Sequence, residues 1–140
     1  MFANSFGIDL GPAFVTPCVV KITNGGWIVT DDGDRGSFGG NAKESASGTD
    51  TGQEEYQDHG PAEPMNVHSL NVLAITCNPD NTQATIFGEA TIDGAGSHIY
   101  RIDVQDNGEP GKLIDHYRIR LDTGYDSGDH ILRGGNVQIH

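Results

Sequence analysis

The sequence predicts a single all-β domain of about nine short strands, arranged as an antiparallel sandwich or a small barrel. Several segments alternate apolar and polar residues, which is the period of a half-buried strand. The 20 glycines among 140 residues are about double the usual share of roughly 7%. They break the chain into strands that recur roughly every 10–15 residues. No window keeps a helical period over three turns.

The alternating segments between turn signals predict strands over residues 14–23, 27–29, 38–47, 52–59, 65–77, 84–92, 98–104, 116–122 and 131–140. Residues 1–13 read as an irregular lead-in, and residues 14–140 as one β domain. In the first strand, we expect Val15, Val19 and Ile22 to face the core.

The strands before residue 60 have weak patterns. Gly25-Gly26 predicts a turn into the short strand of residues 27–29. Residues 38–47 have small side chains at alternate positions, which favours a strand near an edge of the sheet. The polar side chains of residues 52–59 are expected to face water.

The second half of the chain alternates more clearly. Residues 65–77 predict a long core strand, with a bulge near Leu70 or Asn71 where the alternation slips. Residues 84–92 and 98–104 flank an Asp-Gly turn and predict a hairpin. The last strand is expected to be interrupted at Gly134-Gly135. The core of the long strand is predicted to include Val67, Leu70, Val72, Leu73 and Ile75.

The charge balance excludes several classes of partner. The chain has 20 Asp and Glu residues against 8 Lys and Arg residues, and a formal net charge of -12. Nucleic acids and anionic membranes need a basic surface, so neither is an expected partner. The sequence contains no run of 18 apolar residues, so no membrane-spanning helix is predicted. The segment from Phe2 to Val20 lacks the basic start of a signal peptide, so an exported protein would have lost its signal.

Four motifs together resemble one known type of domain. They are ITNGGWI, the tract YQDHG followed by MNVHS, the loop DNGEPG, and the terminal GGNVQIH. These motifs resemble the post-COAP type of β domain, which occurs in large bacterial surface proteins, and the likeness covers roughly residues 21–140. The resemblance implies an exported or surface-attached β module with no established biochemical activity.

Two acidic segments are candidate calcium sites, because hard oxygen ligands suit Ca²⁺. One contains Asp103, Asp106, Asn107 and Glu109 around a tight turn, although its spacing is not that of an EF-hand. The other contains Asp31, Asp32 and Asp34, with Asp122 or Asp126 as partners from a neighbouring strand. The alternative is that the first segment only bends the chain and the second is a solvated acidic surface.

Three of the six histidines lie in the shared motifs and are candidates for a transition-metal site. His59, His68 and His140, together with Asp58, would suit Zn²⁺ if the fold brought them together. The alternative is that each histidine satisfies local hydrogen bonds. Cys18 and Cys77 would form a disulfide in an exported protein and two buried thiols in a cytosolic one, and we favour the disulfide.

No standard catalytic motif is present, so we expect no catalytic residues. The leading expectation is a non-enzymatic, extracellular or cell-surface β module with a structural or adhesive role, with Ca²⁺ as the first candidate to stabilise it. One alternative is a metal-dependent or carbohydrate-acting domain that uses the histidines, with Zn²⁺ as the less favoured ion. Another is a self-assembling surface subunit. The expected partners are a second copy of the chain or a surface glycan or protein.

Overall fold

A computed structural model describes residues 18–140, which form ten antiparallel strands and no helix. The predicted all-β class is therefore confirmed. The lead-in of residues 1–13 and the predicted core residue Val15 lie outside the described residues. The strands are β1 (Lys21–Val29), β2 (Arg35–Glu44), β3 (Asp50–Asp58), β4 (Met65–Ser69), β5 (Ala74–Cys77), β6 (Gln83–Ile92), β7 (Ala95–Gln105), β8 (His116–Leu121), β9 (His130–Ile131) and β10 (Gly134–Ile139).

All these strands belong to one sheet with the order β10-β1-β2-β3-β4-β6-β7-β8-β9, and β5 pairs with β6 beyond the end of β4. The sheet curls into a half-barrel. The ring of Phe38 on β2 stacks on Tyr117 on β8, with 3.8 Å between ring centroids. Strands that are far apart in the sheet thus share one interior. The largest buried apolar side chains in it include Ile22, Ile28, Tyr56, Tyr100, Ile102, Tyr117, Ile119, Leu121 and Leu132.

The two ends of the curled sheet differ in how they are held. At one end, the backbones of Lys21 and His140 exchange two hydrogen bonds of 2.7 and 2.9 Å. The Cys18–Cys77 disulfide lies at the same end, which we call the disulfide pole. At the opposite end, β2 begins and β3 ends beside it, with Gly36 paired to Asp58. We call this end the Asp58 pole.

The predicted turn at Gly25-Gly26 is wrong, because both glycines lie inside β1. They pair with the second glycine motif of the chain, since Gly26 lies opposite Gly135 in β10. A side chain at Gly135 would run into the backbone of Gly25. The glycines therefore let two strands approach closely instead of turning the chain. The break in the last predicted strand falls between β9 and β10, before Gly134 rather than after it.

The predicted core position of Val19 is also wrong. Its side chain is 56% exposed, whereas the neighbouring Cys18 and Val20 are buried. Because side chains alternate along an extended chain, the inward direction of Cys18 in its disulfide fixes Val19 on the outer face.

β2 is not near a sheet edge, as its small residues suggested, but lies between β1 and β3. Its inward-facing glycines leave space for large polar side chains of β3. A Cβ atom built on Gly36 would lie 2.5 Å from the hydroxyl of Tyr56, and one on Gly40 would lie 2.8 Å from the carboxylate of Glu54. The polar residues of β3 therefore do not all face water, because Glu54, Tyr56 and Asp58 point inward.

The long strand predicted over residues 65–77 is two strands, β4 and β5, that pair with the same edge of β6. Between them, the N–H groups of Leu70 and Asn71 both donate to the carbonyl of Glu89, at 2.7 and 3.4 Å. This is the irregularity that the slip in alternation predicted. It turns Leu70 and Leu73 outward, with 55% and 52% exposure, so their predicted core positions are wrong. The predicted core residues Val67, Val72 and Ile75 are buried.

Candidate functional site

Asp103, the first residue of the calcium-candidate loop, belongs to an ion-pair network on the outer face of the sheet. Its carboxylate accepts hydrogen bonds from the hydroxyl of Thr85 at 2.7 Å and from Arg120 at 2.8 Å. Burial alone would raise the pKa of Asp103, but Thr85, Arg120 and Arg101 together lower it. The carboxylate of Asp103 therefore binds side chains on the outer face of the sheet and not the other residues of the loop.

The other three residues of this loop bind neighbouring parts of the chain. Asp106 Oδ2 accepts the backbone N–H of Ile139 at 3.0 Å. Glu109 accepts the side-chain amide of Asn136 at 2.6 Å. Asn107 donates its side-chain amide to a carbonyl within the loop at 2.8 Å. Burial raises the pKa of Asp106, and the charge of Glu109 contributes to the shift.

Asp115 is the key residue of this region and was missed in the sequence. It is 0% exposed, and its two oxygens accept the N–H groups of Asn107 and Val137 at 2.8 and 2.9 Å. Asp106 and Asp115 thus serve alternate N–H groups of β10, along the edge that does not pair with β1. The two carboxylates take the place of a further strand there. The acidic residue in KLIDHY, which directly follows Leu113 and Ile114, is the signal that could have revealed this role.

The second acidic segment is also committed to protein partners. Asp31 Oδ1 lies 2.8 Å from His130 Nε2. Asp34 is buried and accepts the backbone N–H groups of Ala62 and Glu63 at 3.0 and 2.9 Å. Asp34 therefore fixes the loop between β3 and β4 over the Asp58 pole.

The remaining residues of that candidate calcium site do not converge on one point. Burial raises the pKa of Glu63, and its hydrogen bond with Asp32 raises it further. The two expected partner carboxylates pair with other side chains, Asp122 with His98 at 2.8 Å and Asp126 with Arg118 at 2.6 Å.

A buried chain of hydrogen bonds crosses the Asp58 pole. The hydroxyl of Tyr125 lies 2.6 Å from that of Tyr56 and donates to Asp58 Oδ2 at 2.8 Å. Asp58 also forms a hydrogen bond with Asp34. The N–H of Glu63 is the main cause that lowers the pKa of Asp34, whereas burial raises the pKa of Asp58. The two pKa shifts run in opposite directions, so Asp58 binds a proton more readily than Asp34 does.

The candidate metal-binding histidines lie apart. His59 follows β3 at the Asp58 pole, where its Nε2 atom lies 2.8 Å from the hydroxyl of Ser37. His68 on β4 pairs with Glu55, with 2.8 Å between Nδ1 and Oε1. His140 lies at the disulfide pole, opposite His59. Within residues 18–140, no group of three or more His, Cys, Asp or Glu side chains is arranged to hold a metal ion.

Glu54 is a buried carboxyl group inside the half-barrel, and from the sequence one could predict only that Glu54 and Glu55 face opposite sides of the sheet. It is 2% exposed and accepts a hydrogen bond from the side chain of Asn24 at 3.0 Å. Burial raises the pKa of Glu54 to about 8, although the bond from Asn24 opposes the shift. Its second oxygen and the hydroxyl of Tyr117 have no hydrogen-bond partner among the described residues.

A second pair of carboxyl groups lies near the disulfide pole. Glu44 and Asp50 are opposite each other in the β2–β3 ladder. Burial raises the pKa of Asp50 to about 7, and the hydrogen bond and charge of Glu44 add to the shift. Asp50 therefore binds a proton up to a higher pH than an ordinary aspartate does.

The cysteines form the disulfide that the sequence favoured. Cys18 Sγ and Cys77 Sγ are bonded, and the bond closes a loop across 59 residues of sequence. It connects the segment before β1 to the end of β5, which are not neighbours in the sheet. The disulfide therefore ties the curled sheet together at its pole.

A groove lies on the outer face of β2, β3 and β4, and we call it the outer groove. Its volume is about 430 Å³. Gly39 is part of its lining, and no atom lies within 4 Å of the place that a Cβ on Gly39 would occupy. Its polar lining consists of Ser37, Glu55, Gln57, Asn66 and His68.

Comparison with protein-family models, curated proteins and solved structures finds no match to this chain. Among the described residues, no helix is long and apolar enough to cross a membrane.

Proposed function

We propose that the chain is a non-enzymatic structural or adhesive β module that works outside the cytoplasm, in a secreted or surface-attached protein. The observation that carries this proposal is the Cys18–Cys77 disulfide, in which Cys18 is buried and Cys77 partly buried. Disulfides persist in oxidising compartments and are rare in the cytosol. The four sequence motifs that resemble post-COAP domains of bacterial surface proteins imply the same compartment as an expectation.

The chemistry of the side chains supports a non-enzymatic role. Most buried carboxyl groups bind backbone or side-chain donors of the chain, so they stabilise the fold. The pair of Ser37 and His59 has the distance of a nucleophile and its base, 2.8 Å. However, His59 has no carboxylate partner among the described residues, and a serine nucleophile normally needs such a third group to orient its base.

The location is tested by the state of the two thiols. The chain is produced in an oxidising compartment and in a reducing cytosol of the same host, and each product is alkylated without reductant. We expect no alkyl group on the exported protein and two on the cytosolic protein, read by intact mass. Reactive Cys18 and Cys77 in the folded, exported protein would contradict the proposal.

The non-enzymatic role is tested with a fluorophosphonate probe, which labels activated serines. We expect no labelling of the wild-type chain. Labelling that disappears in Ser37→Ala but persists in Ser45→Ala would contradict the proposal, because it would identify Ser37 as a nucleophile. Ser45 is a suitable control because it is partly exposed and its hydroxyl contacts Ser47 and not a histidine.

A further inference from the structure

We propose that the outer groove is a binding site for a neutral saccharide of one or two sugar rings. Its volume of about 430 Å³ lies within the usual range for small-ligand sites, about 300–1,000 Å³. The inference adds a ligand to the proposed adhesive role, but it does not depend on the disulfide or on the compartment.

The hydrogen-bonding groups of the groove suit sugar hydroxyls. The side-chain amides of Gln57 and Asn66 have no hydrogen-bond partner among the described residues. Each amide offers both a donor and an acceptor, which is what vicinal hydroxyl groups require. These two side chains lie in one row across the sheet, because Gln57 and Asn66 are paired between β3 and β4.

A neighbouring row supplies an imidazole and a carboxylate. Glu55 pairs with Gly39 on one side and with His68 on the other. The side chains of Glu55 and His68 contact each other at 2.8 Å, and both are open to solvent, with 66% and 58% exposure. The Nε2 atom of His68 has no partner within residues 18–140, so it is available to a ligand.

The floor of the groove is open because of Gly39. In this row, Gly39 is paired with Gly25, so two neighbouring positions of the outer face have no side chain. A flat ring can therefore approach the backbone of the sheet. The polar side chains of the groove lie next to this part of the sheet, which has no side chains.

The charge of the chain selects against anionic ligands. The groove has Glu55 in its lining and no Lys or Arg, and the whole chain has a formal net charge of -12. Phosphate groups and sugar acids would therefore be repelled. Neutral sugars form hydrogen bonds with such a surface without this electrostatic cost.

The test is a titration followed by amide NMR, with cellobiose, maltose, lactose and N,N′-diacetylchitobiose as four separate neutral probes and glucosamine as a cationic comparison. We expect at least one probe to shift the amide signals of Gly39, Glu55, Gln57 and His68. In Gly39→Leu, whose side chain would fill the groove, we expect binding at least about tenfold weaker. Gly39 tolerates this change, since its φ is not in the left-handed region and its outer side is open.

The matched control is Thr51→Leu, at an exposed position of β3 outside the groove. It should bind the same probe as well as the wild type does. The proposal is overturned if none of the four probes shifts the groove signals, or if Gly39→Leu binds unchanged. It is also overturned if only a cationic amino sugar binds and salt abolishes the binding. The alkylation experiment reports separately on the disulfide and the compartment.

Discussion

The Oδ2 atom of Asp115 accepts the backbone N–H of Val137 at 2.9 Å, across 22 residues of sequence. Through this contact, the loop between β7 and β8 holds the last strand of the sheet. The same carboxylate accepts the N–H of Asn107, so a single buried side chain serves two segments of backbone.

Asp115→Ala should destabilise the fold by about 2–4 kcal/mol, because it leaves two N–H groups without their acceptor. Asp115→Asn should cost less, since its amide keeps one acceptor oxygen. Urea denaturation measures both changes. The control is Lys112→Ala in the same loop, where the side chain is exposed and its loss should cost less than about 0.5 kcal/mol. Equal effects at both positions would show that Asp115 does not close this edge.

Glu54 should make stability fall as pH rises. Its folded pKa of about 8 lies above the ordinary value of 4.5, so the protonated group favours the folded state. The contribution of protonated Glu54 to the free energy of unfolding is complete below pH 4.5. It is lost progressively between pH 4.5 and about pH 8, at about 1.4 kcal/mol per pH unit. Asp50, with a pKa of about 7, adds a similar dependence that ends at lower pH.

Glu54→Gln should remove this dependence, so the variant should gain stability relative to the wild type as the pH is raised from 5 to about 9. Chemical denaturation at several pH values measures the difference. Glu55→Gln is the matched control, because Glu55 is adjacent but exposed. Parallel pH profiles for Glu54→Gln and the wild type would contradict the raised pKa.

The disulfide should contribute about 4 kcal/mol to the free energy of unfolding, because it closes a loop across 59 residues. The double variant Cys18→Ser, Cys77→Ser should lose about this amount, measured by urea denaturation. Reductant should destabilise the wild type and leave the double variant unchanged. A wild type that is insensitive to reductant, although its thiols become reactive, would contradict the expectation.

Gly39 and Gly40 are neighbours on β2 that face opposite sides of the sheet, and they should respond differently to alanine. A Cβ at Gly40 would meet the backbone of Gln53 and lie 2.8 Å from the carboxylate of Glu54. Gly40→Ala should therefore cost about 1–3 kcal/mol. Gly39→Ala should change stability by less than about 0.5 kcal/mol. Thermal melts of the two variants test the prediction, and equal losses would contradict the assigned faces.

Calcium stabilisation is tested by thermal melts with EDTA and with Ca²⁺ added back. The candidate carboxylates of Asp34 and Asp106 already accept backbone N–H groups, and Ca²⁺ would have to compete with these donors. We therefore expect the melting temperature to remain unchanged. A rise that grows with Ca²⁺ concentration, as binding to the folded state requires, would contradict this expectation.

The parts of the fold that local patterns determine could be predicted from the sequence. The β6–β7 hairpin follows from alternation around an Asp-Gly turn, and the irregularity at Leu70 follows from a slip in that alternation. The glycines of β1 and β2 led to two wrong predictions, a turn at Gly25-Gly26 and an edge strand over residues 38–47. Their role is to make space for partners such as Gly135 and Tyr56, which are distant in sequence.

The same limit applies to the site. Acidic residues were identified as candidate ligands, but their hydrogen-bond donors come from segments that only the fold brings near, as Ile139 does for Asp106. Glu54 could not be recognised as buried, because its strand is mostly polar and the space it occupies is left by Gly40 on another strand.

The pairing of Lys21 with His140 places the beginning of β1 and the end of β10 side by side. In a longer polypeptide, such a domain would project sideways from the chain axis and add very little to its end-to-end length. The Asp58 pole would then be the outermost part of the projection.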